Sequence, residues 1–81
     1  MNIIILNLSR ETTKKDLIAL FKEHGTVESC DLVMDKQTGK SKGFGFIKMS
    51  SDSESDAAIK SLHGKNVDGN KIRVKVSTKS Q

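Results

Sequence analysis

The sequence predicts an α+β sandwich, a four-stranded antiparallel sheet with two helices on one face, in the order β-α-β-β-α-β. Three observations predict it. Short apolar runs and apolar–polar alternation recur in four places. Two stretches between them carry apolar residues at helical spacing behind capping signals. The 81 residues, 35% of them hydrophobic, show no linker, repeat or low-complexity segment and suffice for one domain.

Residues 2–8 (Asn-Ile-Ile-Ile-Leu-Asn-Leu) are apolar on both parities, as in a central strand. After a connection at 9–11, Thr13 followed by Asp16 resembles a capping box. Leu17, Leu20, Phe21 and His24 keep helical spacing, and Gly25 is the expected C-cap. Residues 27–34 form a second strand with Cys30 and Leu32 on one parity. A polar loop at 35–41 leads to a third strand at 42–49. Ser51 and Glu54 suggest another capping box, opening a helix with Ala58, Ile59 and Leu62 inside and Gly64 at its end. A turn at Asp68-Gly69 precedes a fourth strand, in which Ile72, Val74 and Val76 alternate with Arg73 and Lys75. If those three apolar residues face the helices, the two cations share the other face. The expected domain is 1–77, with 78–81 as a short C-terminal tail.

Composition narrows the function. Cys30 is the only cysteine, so no internal disulfide forms and no C-x-x-C zinc pair exists. A lone thiol in an apolar run reads as a small buried hydrophobe in a reducing compartment, taken as cytoplasmic, with the nucleus also open. The longest apolar run, Ile3 to Leu6, is far too short to cross a membrane, and no signal peptide is expected. The net charge is +4, but its distribution says more. Residues 36–48 hold four lysines and residues 69–81 hold three lysines and one arginine, neither stretch with an acid, so the remainder is net acidic. Basic blocks of this kind suit a polyanion, although solvated surface charge explains them equally well.

The third strand decides which face is open. Lys42, Phe44, Phe46 and Lys48 share one parity; Gly43, Gly45, Ile47 and Met49 share the other. Burying the phenylalanines would draw two unpaired ammonium groups inward, which is costly. The opposite choice packs Ile47 and Met49 under the helices, lets Gly43 and Gly45 admit a close helix, and leaves Phe44 and Phe46 exposed between lysines. Bases stack on such rings while cations meet phosphates.

Lys42-Gly43-Phe44-Gly45-Phe46-Ile47-Lys48-Met49 resembles the RNP octamer of RNA-recognition motifs at every position but Met49, with Ile47 for the usual Val. Residues 3–8 resemble the family's hexamer, which ends in Asn-Leu and usually has an aromatic residue second; Ile4 stands there instead. Asp35, Thr38, Gly39 and Ser41 to Gly43 match the family's usual second hairpin, and Gly25, Gly64 and Gly69 also fit. The resemblance spans essentially the whole chain and is greatest to the compact single-domain members, though no glycine-rich tail follows. It implies a ferredoxin-like fold with single-stranded RNA on the open sheet. By position it implies Phe44 and Phe46 as the stacking platform, Lys42 at a phosphate, and Ile4 as an apolar contact weaker than a ring. Parity and charge add Lys48, Arg73, Lys75 and Lys79.

Other signals carry less. Gly39-Lys40-Ser41 mimics the end of a P-loop but lacks its first glycine and sits in a hairpin. Asn7-Leu8-Ser9 is a glycosylation sequon without signs of secretion. His24 and His63 fall at helix ends, where capping or solvent suits them. With no nucleophile–base pair, metal set or cofactor motif, the expectation is a monomeric non-enzyme that uses no cofactor or membrane and binds single-stranded DNA more weakly. The competing reading is a protein-interaction module that binds a peptide on the same fold.

Overall fold

A computed structural model of the chain describes residues 2–39 and 41–77. The elements are β1 (Asn2–Leu6), α1 (Lys14–Lys22), β2 (Val27–Met34), β3 (Ser41–Met49), α2 (Asp52–Leu62), β4 (Asn66–Val67), β5 (Asn70–Lys71) and β6 (Arg73–Ser77). The main sheet is antiparallel in the order β2-β3-β1-β6, and β4 and β5 form a separate hairpin. This is the expected sandwich. The first strand is central, as its two apolar parities require, and its residues alternate between half-buried and buried.

Ile3, Ile5, Leu8, Ile47, Met49, Ile72 and Val74 from the sheet side meet Leu17, Phe21, Ala58 and Leu62 from the helices. Phe21 is fully buried, so the core holds one of the three phenylalanines. Cys30 is buried opposite Ile47, and burial pushes its thiol up from the ordinary value. Val76 departs from expectation. Its partner Ile3 is buried, so it lies on the helix side, but it sits on the outer edge strand and remains 48% exposed.

Both helix starts are capped, in different ways. Thr13 accepts from the Asp16 N–H while the Asp16 carboxylate accepts from the Thr13 N–H, a complete capping box. At α2, Ser51 accepts from the Glu54 N–H, but the Glu54 carboxylate crosses to accept from the Thr26 N–H. The expected second box is therefore half made, and its acid ties the start of α2 to the α1–β2 connection. Gly25 has a matching role. The C-cap of α1 is Glu23, two residues earlier, and a Cβ on Gly25 would collide with the Glu54 side chain. Gly25 is small for Glu54's sake rather than to close the helix. Gly64 does end α2, in the left-handed region directly after the C-cap His63.

His63 is more than a helix-end residue. The Val74 N–H donates to its Nδ1 at 3.0 Å, satisfying a backbone donor of β6. An unpaired strand edge is otherwise a template for adventitious pairing.

Candidate nucleic-acid interface

The face of the sheet opposite the helices is built by register. Ile4 lies opposite Phe46 on one side and Lys75 on the other. Asn2 lies opposite Lys48, and Leu6 opposite Arg73. Directly opposed residues on antiparallel strands share a face. Ile4, Phe46, Lys48, Arg73 and Lys75 are therefore together on the open side, with Asn2 and Leu6. The Phe44 and Phe46 rings meet edge to face, 6.2 Å between centroids and 83° between planes. Both rings are half-buried, unlike the enclosed Phe21.

The intervening glycines have separate tasks. Gly45 is buried, and a Cβ there would lie 2.7 Å from the Asp31 carbonyl and 3.4 Å from a Leu17 methyl. The β2 backbone, rather than the expected close approach of a helix, is what requires glycine there, since the distance to the Leu17 methyl is an ordinary contact. Gly43 adopts φ +88°, in the left-handed region, and its carbonyl accepts from the Leu8 N–H at 2.8 Å. It serves a backbone distortion rather than the close approach of a helix. The β2–β3 ladder also shifts register between Leu32 and Met34. Simple alternation consequently stops at Gly43, and register does not assign Lys42 to the platform. Lys42 is exposed near Asp35, whose carboxyl it helps hold below the ordinary range; the N–H groups of Gln37 and Thr38 do most of that.

Asn7 shows why a short amide suits the end of β1. It sits at φ +60°, a region Asn tolerates. Its Nδ2 donates to the Lys71 carbonyl at 2.8 Å, and Asn70 Nδ2 donates back to its carbonyl at 3.3 Å. Buried Thr12 adds a second tether, its hydroxyl donating to the Asp68 carboxylate at 2.7 Å. These contacts clamp the end of β1 to the β4–β5 hairpin, whose turn is the expected Asp68-Gly69.

Charge is segregated across the open face. Arg73 and Lys75 project from β6 at one margin. Glu28 and Asp31 belong to β2 at the other, with Asp31 opposite Phe46. Lys48 Nζ lies 4.0 Å from Glu28 Oε1, both side chains half-exposed. Such a pair is worth about 0–1 kcal/mol, so Lys48 is only lightly held. Lys79 lies outside the described residues. Asp31, Ser29 and Leu6 were not among the sequence candidates, although parity counted from Cys30 and Ile4 places all three on this face.

Among the described residues no three His, Cys, Asp or Glu side chains gather at metal-binding distance. No helix there is long and apolar enough to cross a membrane.

Known proteins share this arrangement. The RNA recognition motif family model matches residues 3–73. The chain is 46% identical over 71 residues to the chloroplastic 28 kDa ribonucleoprotein of Spinacia oleracea, covering 88% of this chain and 30% of that protein. It is 42% identical over 74 residues to the putative RNA-binding protein RbpB of Nostoc sp., covering 91% of this chain and 72% of that one. Among solved structures, RNA Binding Protein PG1 superposes with a TM-score of 0.94 at 33% identity, over 100% of this chain and 98% of that chain. A Sxl-lethal protein/RNA complex superposes with a TM-score of 0.92 at 31% identity, over 99% of this chain and 48% of that chain. Sheet order, the paired phenylalanines on the open face and the family match agree: the chain belongs to the RNA recognition motif family.

Proposed function

We propose that this domain binds single-stranded RNA on its open sheet, with bases stacked on Phe44 and Phe46, an apolar contact from Ile4, and phosphates met by Arg73 and Lys75. The observation that carries this reading is the paired rings lying half-open on the same sheet face as a cationic strand, with β1 between them. Bases stack on aromatic faces regardless of sequence, and cations at one margin give the backbone a track. Lys42 meets a phosphate from the entrance of β3, Lys48 does so once it leaves Glu28, and Lys79 contributes a further phosphate contact. Single-stranded DNA binds the same way but more weakly. The unit responsible is residues 1–77, with 78–81 as a tail beyond it. It works as a monomer in a reducing cytoplasmic compartment and performs no catalysis. A peptide ligand on the same sheet explains the hydrophobic platform but leaves the cations of β6 without a role.

A fluorescence titration with a mixed-sequence RNA octamer over a range of salt concentrations tests this. With about three phosphates met at −0.7 each, log affinity falls against log salt with a slope of roughly −2. A duplex of the same sequence competes poorly, since it hides its bases. A slope near zero, or a duplex that outcompetes the single strand, overturns the reading.

A further inference from the structure

The acidic margin of the open face needs an explanation, because a carboxylate beside an RNA platform repels phosphate. Asp31 is the residue opposite Phe46 in the β2–β3 register. Directly opposed residues have Cβ atoms about 4.5–5.5 Å apart, so a base covering the Phe46 ring brings one edge over Asp31. The carboxylate is exposed and has no hydrogen-bond or ion-pair partner among the described residues, whereas neighbouring Glu28 has Lys48. Arg10 and Lys14 border the same stretch of β2 across a hollow, yet neither reaches ion-pair distance.

We infer that Asp31 reads the base stacked on Phe46 and selects guanine. The inference rests on the RNA-binding reading above and adds a base preference to it. Arg73 and Lys75 draw the sugar–phosphate backbone to the β6 margin, and the carboxylates of β2 repel it from the other. The Watson–Crick edge, which points away from the sugar, then faces β2. An ionised carboxylate only accepts hydrogen bonds. Guanine offers it two adjacent donors, N1–H and an N2 amino hydrogen, which match its two oxygens. Cytosine and adenine each offer one amino group beside a ring acceptor. Uracil places two carbonyl oxygens on either side of a single N–H, and these repel the carboxylate. Base-edge recognition of this kind is how single-stranded RNA is read once its bases are splayed.

The test uses U8 and three octamers in which one central uridine is replaced by guanosine, cytidine or adenosine; the strand can slide until that base occupies Phe46. The wild-type chain is expected to bind the guanosine octamer about tenfold tighter than U8, within the range of a good bidentate base contact. Asp31→Ala binds all four within about twofold of one another, and U8 no more weakly than the wild type does, since a repulsive charge is gone. Asp31→Asn keeps the shape but has one acceptor oxygen, so it loses most of the guanine preference. Thermal melts of both variants should match the parent, because the side chain is exposed and unpartnered. A guanine preference that survives Asp31→Ala and Asp31→Asn, or a wild type without one, overturns the role of Asp31 and leaves RNA binding intact. Failure of the wild type to bind any octamer overturns the RNA-binding reading and the base-reading role with it.

Discussion

Replacing Ile4 by Tyr puts a ring where the sheet has room for one. Ile4 lies on the open face opposite Phe46 and Lys75 and is half-buried. Its neighbours Ile3 and Ile5 are 0% exposed. Full burial of an isoleucine is worth about 1.5–3 kcal/mol, so at most about half of that is at stake at position 4, and the tyrosine ring restores part of it by covering the same surface. Melting should therefore stay within a few degrees of the parent. Stacking one base contributes about 1–3 kcal/mol, from which the lost isoleucine contact is subtracted, leaving a gain of up to about 1 kcal/mol, or roughly fivefold in affinity. Ile3→Tyr is the control. There the ring must enter a filled core, costing about 1–3 kcal/mol. For a domain this size each kcal/mol lowers Tm by about 4–8 °C. RNA titration and thermal melting of the two variants provide the assay. If Ile4→Tyr melts as early as Ile3→Tyr, or keeps its melting temperature without tighter binding, the reasoning about this face is wrong.

Phe46→Ala and Phe44→Ala should each weaken RNA binding by about 1–3 kcal/mol while leaving the fold in place. Phe21→Ala, in contrast, should lose about 3–5 kcal/mol of stability; a thermal melt and a titration of each variant distinguish the two outcomes. Arg73→Gln and Lys75→Gln should each flatten the salt slope by about 0.7 if each meets one phosphate, and an unchanged slope removes that residue from the backbone track. Asp35 has its folded pKa lowered, chiefly by the N–H groups of Gln37 and Thr38, so its contribution to stability is present above the ordinary carboxylate value of about 3.9 and is lost as pH falls through the lowered one. Melting temperatures between pH 5 and pH 2, as an order-of-magnitude window of roughly that range, should fall more steeply for the parent than for Asp35→Asn; parallel curves refute the assignment.

The platform was legible in the sequence because its signal is local. Phe44, Phe46, Ile47 and Met49 alternate over a stretch where the ladder is regular, and the cost of burying Lys48 settles the face. Legibility ended at Gly43. A left-handed residue interrupts alternation there, so parity alone does not assign Lys42 a face. Val76 illustrates the limit of period-2 reasoning. Parity gives the side of the sheet, but burial depends on whether a helix covers that end of an edge strand. The half-made box at Ser51 fails for a different reason. Its acid has a better-placed donor in Thr26, which is close only after folding. Thr12 and its bond to Asp68 join residues far apart in sequence, and no periodicity announces such a pair. The place of Asp31 could have been found: Cys30 faces the core, so its neighbour lies on the open face.

Chemical-shift mapping by NMR with a single-stranded RNA pool tests the central claim most directly. The account predicts that amide shifts concentrate on β1, β3 and β6 around Ile4, Phe44, Phe46, Arg73 and Lys75, with Asp31 at the margin and the outer surfaces of α1 and α2 unaffected. Shifts confined to the helices, or no shifts at RNA concentrations that saturate the titration, would contradict it.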